Sequence, residues 1–411
     1  MSMKTVLLFP GQGSQYVGMG KEMFERFETA RRTFEEASDL LGYSVSRLCF
    51  DGDHEELTRT DNAQPCILTV SIAAYRVMLE HLDLEPSYFA GHSLGEISAL
   101  SASGAIPFSE ALQLVRLRGQ LMHEAQTQEA GGMLAISGAN LSALEEECSL
   151  PSFRGHVVVS NLNSKGQTVV SGKKAELEKF REKVLTMGAR AVAIPVGAAF
   201  HSPLMKPVAE VFENALSRMR FQKMRYSVLS NVTAKPYADS SSIPSLLSEQ
   251  IVSVVNWQGC MKYLYGRGVE RYIETGSGMV LGNLARKDIS PGSLIQATDG
   301  NKDWNTLLAS GGRIDTGIDF AAILKMALCS KNHNKTDSNS IYMSKISGPL
   351  RELELFASQT GQVKSTAEEE SRSAFMALHK IMEIKQLPEV VRNRMLDDLT
   401  EGGGGLDVRY A

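Results

Sequence analysis

The sequence predicts an α/β protein: a mostly parallel sheet with covering helices, a smaller ferredoxin-like unit inserted into it, and a helical extension at the C-terminal end. Three observations carry this. Short apolar strand patterns alternate with longer helical ones through residues 5–124, the signature of parallel sheets with helical crossovers. Residues 130–197 follow the order βαββαβ, the split-βαβ pattern. At Asn332–Ser340 the chain turns polar and rich in turn formers before two further helical patterns. The expected division is a core of residues 1–129 and 198–310, an insert of residues 130–197, and a linker with helical extension over residues 311–411.

Thr5–Phe9 is a continuous apolar run, suited to a strand covered on both faces. A turn follows at Pro10-Gly11-Gln12-Gly13. Helical patterns fill Gly20–Leu41 and Gln64–Leu82, and Ser87–Ala90 reads as a short strand. After a glycine-bounded turn, helices are expected over Glu96–Ser103 and Ser109–Glu124. In the insert, Met133–Ser137 reads as a strand and Leu141–Cys148 as a short helix. His156–Ser160 and Thr168–Val170 read as a hairpin across Asn163-Ser164-Lys165-Gly166. Lys173–Met187 carries Leu177, Phe180 and Val184 at helical spacing and is stopped by Gly188; Arg190–Ile194 is the last strand of the insert.

The core resumes after Phe200. Tyr226–Ser230, Glu270–Ile273 and Ser293–Gln296 are expected strands, with a helix ending at Tyr263–Gly268. In the extension, Ala367–Ile384 carries Phe375, Leu378 and Met382 on one face, with Ser365 and Glu368 placed as a capping box. Pro388–Leu399 repeats an apolar residue every fourth position at Val391, Met395 and Leu399. Packing on their own domain and docking on a synthase are the two readings of these faces.

Composition excludes several function classes. The chain has 411 residues, 43% of them hydrophobic, enough for a large core without staples. Its net charge of −4 has the wrong sign for general nucleic-acid binding. No apolar run is long enough for a membrane span. The N-terminal residues lead directly into a strand, with no long apolar signal region. Cys49, Cys66, Cys148, Cys260 and Cys329 are odd in number and lack zinc spacing, so they read as small buried apolar residues. A cytoplasmic protein without metal or cofactor is expected.

The 35 glycines gather in short motifs. Gly91-His92-Ser93-Leu94-Gly95 matches the G-x-S-x-G nucleophile elbow and has the right context, a strand before and a helix after. A serine hydroxyl needs a base. Eight histidines are available. His54, His81, His156, His333 and His379 fall in loops, at element ends or off an apolar stripe, and His92 diverges from its neighbour Ser93. His123 and His201 remain, and His201 sits in a small-residue loop suited to return to the site. Backbone amides of the Gly11–Gln15 turn are placed to form half of an oxyanion hole, with Leu94 supplying the other half. A phosphate loop is the competing reading, but the Walker lysine is missing. Arg116 and Arg118 stand two apart, so they cannot share a helix face; one is expected in solvent and the other inward, where a carboxylate would suit its fork.

Taken together the chain resembles the malonyl-CoA:acyl-carrier-protein transacylase family over residues 4–299. The likeness rests on an ordered set: Phe9-Pro10-Gly11-Gln12-Gly13-Ser14-Gln15, Gln64-Pro65, Gly91-His92-Ser93-Leu94-Gly95-Glu96, Arg118-Gly119 with Met122, Asn161 and Asn163 with Gly166-Gln167, Phe200-His201-Ser202, Ser230-Asn231-Val232, Gln250 with Trp257, and Glu274-x-Gly276-x-Gly278. The resemblance implies an α/β-hydrolase-like core with a ferredoxin-like small domain. It implies acylation of Ser93, with His201 as general base and then acid, oriented by the backbone carbonyl of Gln250. It gives the Gln12 and Leu94 amides to the oxyanion hole and Arg118 to the malonyl carboxylate, with Gln64 nearby. Phe200 before His201 resembles malonyl-selective members. Malonyl-CoA and a holo carrier protein are the implied partners.

This chain departs from the usual pattern at Ser277 and Met279, and at Val254, where proline is common. Its extension beyond about residue 330 is similar to the format of stand-alone transferases serving polyketide or polyketide–peptide synthases. The alternatives are a transacylase of primary fatty-acid synthesis, an acyl hydrolase of the same fold clearing misloaded carriers, and a non-catalytic scaffold.

Overall fold

The computed structural model describes residues 3–128, 131–311, 327, 328, 330, 332–358, 367–389, 391 and 392. β1 (Thr5–Phe9) is buried at every position, as its unbroken apolar run requires. The single helical pattern expected over residues 20–41 divides in two, α1 (Lys21–Arg26) and α2 (Glu28–Leu41). Phe27 leaves helical space there, at φ −119° and ψ 124°. α2 buries Ala30, Phe34, Ala37 and Leu41, spaced by three and four. Two short helices that the periodicity did not show follow, α3 (Val45–Asp51) and α4 (His54–Thr58); Ser44 and Asp53 cap them through side-chain oxygens. α5 (Thr60–His81) starts at Thr60, earlier than expected, and is buried on nearly all sides, which is why its apolar period is weak. β2 (Tyr88–Gly91), α6 (Leu94–Ala102) and α7 (Phe108–Gln128) complete the first stretch.

Next come β3 (Gly131–Ser137), α8 (Leu141–Ser149), β4 (Val157–Ser164), β5 (Gln167–Lys173), α9 (Lys174–Thr186) and β6 (Arg190–Ile194). The four strands form an antiparallel sheet in the order β4-β5-β3-β6. Leu134, Ile136 and Val170 from the sheet pack with Leu177, Phe180 and Val184 of α9 in a core of their own. The hairpin is longer than its apolar pattern. β4 runs through Asn163 and Ser164, leaving only Lys165 and Gly166 as the turn. Bulges between Val159 and Asn161 and between Leu162 and Ser164 break the alternation that would have shown this.

α10 (Lys206–Leu216), β7 (Ser227–Leu229), α11 (Ile243–Val252), α12 (Trp257–Gly266), β8 (Arg271–Glu274), α13 (Val280–Ala285), β9 (Leu294–Ala297) and α14 (Asn301–Gly311) follow. Here α10 and α11 were unassigned from sequence, although Val208, Phe212 and Leu216, and Ile243, Leu247 and Ile251, carry helical spacing. The main sheet is parallel throughout, in the order β7-β2-β1-β8-β9. The chain winds outward from β1 to β2 and β7, then returns to β8 and β9. The loops leaving the carboxyl ends of β1, β2 and β8 therefore meet where the winding reverses, the usual position of a ligand site in such sheets.

The chain divides into two compact units, residues 1–311 and residues 312–411. In the second, α15 (Asn339–Ser358) begins inside the polar stretch expected to be linker. α16 (Ala367–Ile384) lies where a helix was expected. Its Leu378, Ile381 and Met382 are buried with Ile346 and Leu353 of α15, so this apolar face is covered within its own unit. Most of Pro388–Leu399 and Cys329 lie outside the described residues. Cys49, Cys66, Cys148 and Cys260 are free thiols. No helix among the described residues is long and apolar enough to cross a membrane.

Candidate active site

Gly91 and Gly95 bracket the turn that presents Ser93, and geometry demands both. A Cβ on Gly91 would lie 1.9 Å from the Gly95 carbonyl, and one on Gly95 would lie 2.0 Å from the Phe9 carbonyl oxygen. The closure forces Ser93 to φ 52° and ψ −106°, a conformation that L residues avoid and that costs roughly 1–3 kcal/mol. Asn231, just beyond β7, holds the elbow from behind. Its Oδ1 accepts from the Ser93 amide at 2.7 Å and its Nδ2 donates to the Gly91 carbonyl at 2.7 Å.

His201 Nε2 lies 2.8 Å from Ser93 Oγ, and its Nδ1 lies 2.8 Å from the backbone carbonyl of Gln250. A carbonyl accepts only, so Nδ1 carries the proton and Nε2 is left as the acceptor facing the serine. Burial, with Arg118 adding to it, lowers the imidazole pKa from 6.5 to about 3, so the ring is neutral. His123, the other histidine open from sequence, lies on α7 and makes no hydrogen bond to Ser93.

Arg118 is the inward member of its pair; only 1% of its surface is exposed. Arg116 instead reaches the Leu41 carbonyl at the half-buried edge of α7. Arg118 Nη1 donates to Gln64 Oε1 at 2.9 Å, and Nη2 donates to Ser93 Oγ at 3.0 Å and Gln250 Oε1 at 3.2 Å. Its Nε has no partner among the described residues. All three acceptors are neutral. Burial pulls the guanidinium down to about 10, opposed by the charge of Glu96. Gln64 is fully buried behind Arg118 rather than on the cavity wall, and its Nε2 donates to Met122 Sδ at 3.4 Å.

These groups open into a cavity of about 450 Å³. Gln12, Ser93, Arg118, Met122, Phe200 and His201 line one side, and Asn161, Asn163, Gln167 and Val169 of the antiparallel sheet line the other. His92 ties the two sides together: its Nε2 lies 2.9 Å from Asn163 Oδ1, and Asn163 Nδ2 donates to Gln167 Oε1 at 2.9 Å. The Gln12 amide, in the turn after β1, and the Leu94 amide, at the start of α6, have no acceptor among the described residues. Both are free to receive an oxygen at the helix N-terminus, where partial positive charge favours an anion.

Sequence reasoning gave no role to Asn231 or Glu96, although both stood in quoted motifs. Glu96 is fully buried below the elbow. Its Oε2 accepts from the Gln250 side-chain amide at 2.7 Å and the Asn231 backbone amide at 2.9 Å, and its Oε1 accepts from the Tyr237 hydroxyl. Burial raises its pKa to about 7 against these three donors. The only signal available from sequence was a charged residue inside an otherwise apolar helix. Among the described residues, no group of three or more His, Cys, Asp or Glu side chains is placed to hold a metal.

Chemically the arrangement is one that can support acyl transfer through a serine hydroxyl, with a buried cation at its floor. Comparison with known proteins gives the family. Residues 6–271 match the model of the acyl transferase domain. A malonyl CoA-acyl carrier protein transacylase of Bacillus subtilis is 37% identical over 395 residues, covering 95% of this chain and 98% of its own. Another from Bacillus subtilis strain 168 is 42% identical over 286 residues, 69% of this chain and 90% of its own. Among solved structures, a malonyl-transacylase in complex with its type II polyketide synthase acyl-carrier protein superposes with a TM-score of 0.71 at 34% identity, over 75% of this chain and 100% of that one. The corresponding enzyme of Acinetobacter baumannii gives 0.71 at 37% identity, over 75% and 98%. The chain belongs to the malonyl-CoA:acyl-carrier-protein transacylase family.

Proposed function

We propose that this protein transfers malonyl groups from malonyl-CoA to the phosphopantetheine thiol of an acyl carrier protein, through a malonyl ester on Ser93. One observation carries the choice of acyl group: Arg118 is a buried cation, facing the nucleophile, hydrogen-bonded only to neutral acceptors, with the carboxylate of Glu96 held off on the far side of Gln250. Such a group is a receptor awaiting an anion, and the free carboxylate of malonyl supplies one. An acyl hydrolase clearing misloaded carriers would gain nothing from this arginine.

The steps follow from the geometry. Malonyl-CoA enters with its carboxylate on Arg118. This draws the guanidinium away from Ser93 Oγ and leaves the hydroxyl to His201 alone. Ser93 Oγ attacks the thioester carbonyl and its proton passes to His201 Nε2; the Gln250 carbonyl holds the imidazolium that forms. The Gln12 and Leu94 amides receive the oxyanion. The C–S bond breaks and the CoA sulfur takes the proton from His201. The carrier thiol then repeats the sequence on the ester in reverse.

The role favoured is that of a stand-alone, cytoplasmic enzyme supplying a polyketide or polyketide–peptide synthase. The extension supports it. Relatives matched over 68–69% of this chain and 90–91% of their own length are shorter than it, whereas the 395-residue match spans nearly the whole of both chains and so has a chain of this longer format. The α/β-hydrolase-like reading of the parallel sheet and the ferredoxin-like reading of the antiparallel one are supported by the elbow after β2 and by the order β4-β5-β3-β6. Intact-mass measurement of the protein after a mixture of acyl-CoAs, then after holo carriers from fatty-acid and polyketide systems, tests the whole reading. Malonyl alone should load, and polyketide carriers should unload it faster. Loading of acetyl in preference, or hydrolysis without transfer, would overturn it.

A further inference from the structure

Gln250 stands between two buried charges. Its side-chain nitrogen donates to Glu96 Oε2 at 2.7 Å and to the Ser93 carbonyl at 3.1 Å, while its side-chain oxygen accepts from Arg118 Nη2 at 3.2 Å. An amide has one donor end and one acceptor end, and these partners fix which is which. Two acceptors on the nitrogen side leave the oxygen no direction except Arg118. Turned over, the amide would set its oxygen against a carboxylate and a carbonyl and its NH₂ against a guanidinium, three unfavourable pairings around a buried side chain.

We propose that Glu96 is a positioning residue for malonyl selectivity: through the Gln250 side chain it fixes where Arg118 holds its guanidinium. Apart from Ser93 Oγ, which it gives up to the arriving carboxylate, Arg118 has one further anchor, Gln64, on Nη1. Two acceptors on different nitrogens set the plane of the fork; one alone lets it pivot. The same carboxylate oxygen accepts from the Asn231 amide, and Asn231 holds the Ser93 amide, so a single buried group also references the nucleophile. The distance between the hydroxyl that is acylated and the cation that selects the acyl group is thereby set from below. No part of Glu96 reaches the cavity, so it acts only through these neighbours.

The inference rests on the reading of Arg118 as the partner of the malonyl carboxylate, and the experiment separates the two. The readout is the ratio of kcat/KM for malonyl-CoA to that for acetyl-CoA, with one holo carrier. Glu96→Ala should lower the ratio by about tenfold or more, because the charged and shortest-bonded acceptor of the Gln250 nitrogen is gone, leaving the Ser93 carbonyl at 3.1 Å and Asn231 Oδ1 at 3.5 Å. Glu96→Gln keeps a carbonyl in the place of Oε2 once its own NH₂ turns to the Tyr237 oxygen, and should retain the ratio to within about threefold. Gln250→Met keeps the backbone carbonyl for His201, so it should reproduce the loss even if Glu96→Ala proves insoluble. The double variant Glu96→Ala/Gln250→Met should lose no more than Gln250→Met alone. Equal losses for the two substrates, an unchanged ratio in Gln250→Met, or losses that multiply in the double variant would overturn the proposal. Arg118→Ala is the control: if it leaves the ratio unchanged, the reading of Arg118 fails and this inference fails with it.

Discussion

Replacing Arg118 with alanine tests the floor of the site most directly. The guanidinium is 1% exposed and bonded to three neutral oxygens. Burial lowers its pKa to about 10, and the charge of Glu96, which is not in hydrogen-bond contact with it, offsets this only in part. A carboxylate arriving on the cavity side gains a desolvated, charge-assisted pair. Truncating one partner of such a pair costs about 2–5 kcal/mol. Acetyl lacks the carboxylate and loses only indirect positioning. Taking about 2–4 kcal/mol as the difference, the malonyl-to-acetyl ratio of kcat/KM should fall by roughly 30- to 900-fold. Steady-state transfer to one holo carrier at several acyl-CoA concentrations measures it. A ratio within threefold of wild type, in a variant with normal folding and normal labelling of Ser93 by a fluorophosphonate, would refute the reasoning.

Other outcomes follow from neighbouring groups. Ser93→Ala should abolish radiolabelling by malonyl-CoA; label on another residue would remove Ser93 from the reaction. Because His201 is held near 3, acylation kcat/KM should stay level from pH 7 to pH 5, where a histidine at 6.5 would lose roughly 25-fold, and Arg118→Ala should move the acid limb upward. The same shift has a stability consequence. Between pH 6.5 and about 3 the unfolded chain binds the proton and the folded one does not, so the His201 contribution is lost as pH falls through that window. A wild-type acid limb near pH 6.5 would show that burial does not hold His201 neutral. Asn231→Ala leaves the Ser93 amide and the Gly91 carbonyl without partners, and should lower stability by about 2–4 kcal/mol by urea denaturation with slower labelling of Ser93; unchanged labelling would free the elbow from Asn231. Removing residues 312–411 should leave malonylation of Ser93 intact, since every residue of the site lies in residues 1–311; loss of malonylation in a soluble truncation would overturn that.

The elbow was legible because its constraint is local. Gly91 and Gly95 are required by contacts within a few residues and with the adjoining strand, so the motif carries its own geometry. The same holds for β1, whose apolar run is buried throughout, and for α9, whose stripe at Leu177, Phe180 and Val184 packs as spaced. The hairpin ends were misjudged because bulges interrupt the two-residue period. α5 lost its period because helices buried on all sides have no polar face to mark.

By itself, then, the sequence determined the fold class, the serine and the set of residues from which the site had to be drawn. Local sterics and apolar periodicity act over a few residues, and both are written in order along the chain. Spacing along the chain left His123 beside His201 and Arg116 beside Arg118, and only the family resemblance chose between them; tertiary structure brings His201 to Ser93 Oγ, turns Arg118 inward and places Glu96 under the Gln250 side chain. His201 is 108 positions from Ser93, and Gln250 is 154 from Glu96. Buried polar groups must find partners because water cannot reach them, and a partner is chosen by proximity after folding rather than by spacing before it. Glu96 in isolation is a charge inside an apolar helix; only the folded chain surrounds it with donors from Tyr237, Asn231 and Gln250, two of which in turn contact Ser93 and Arg118.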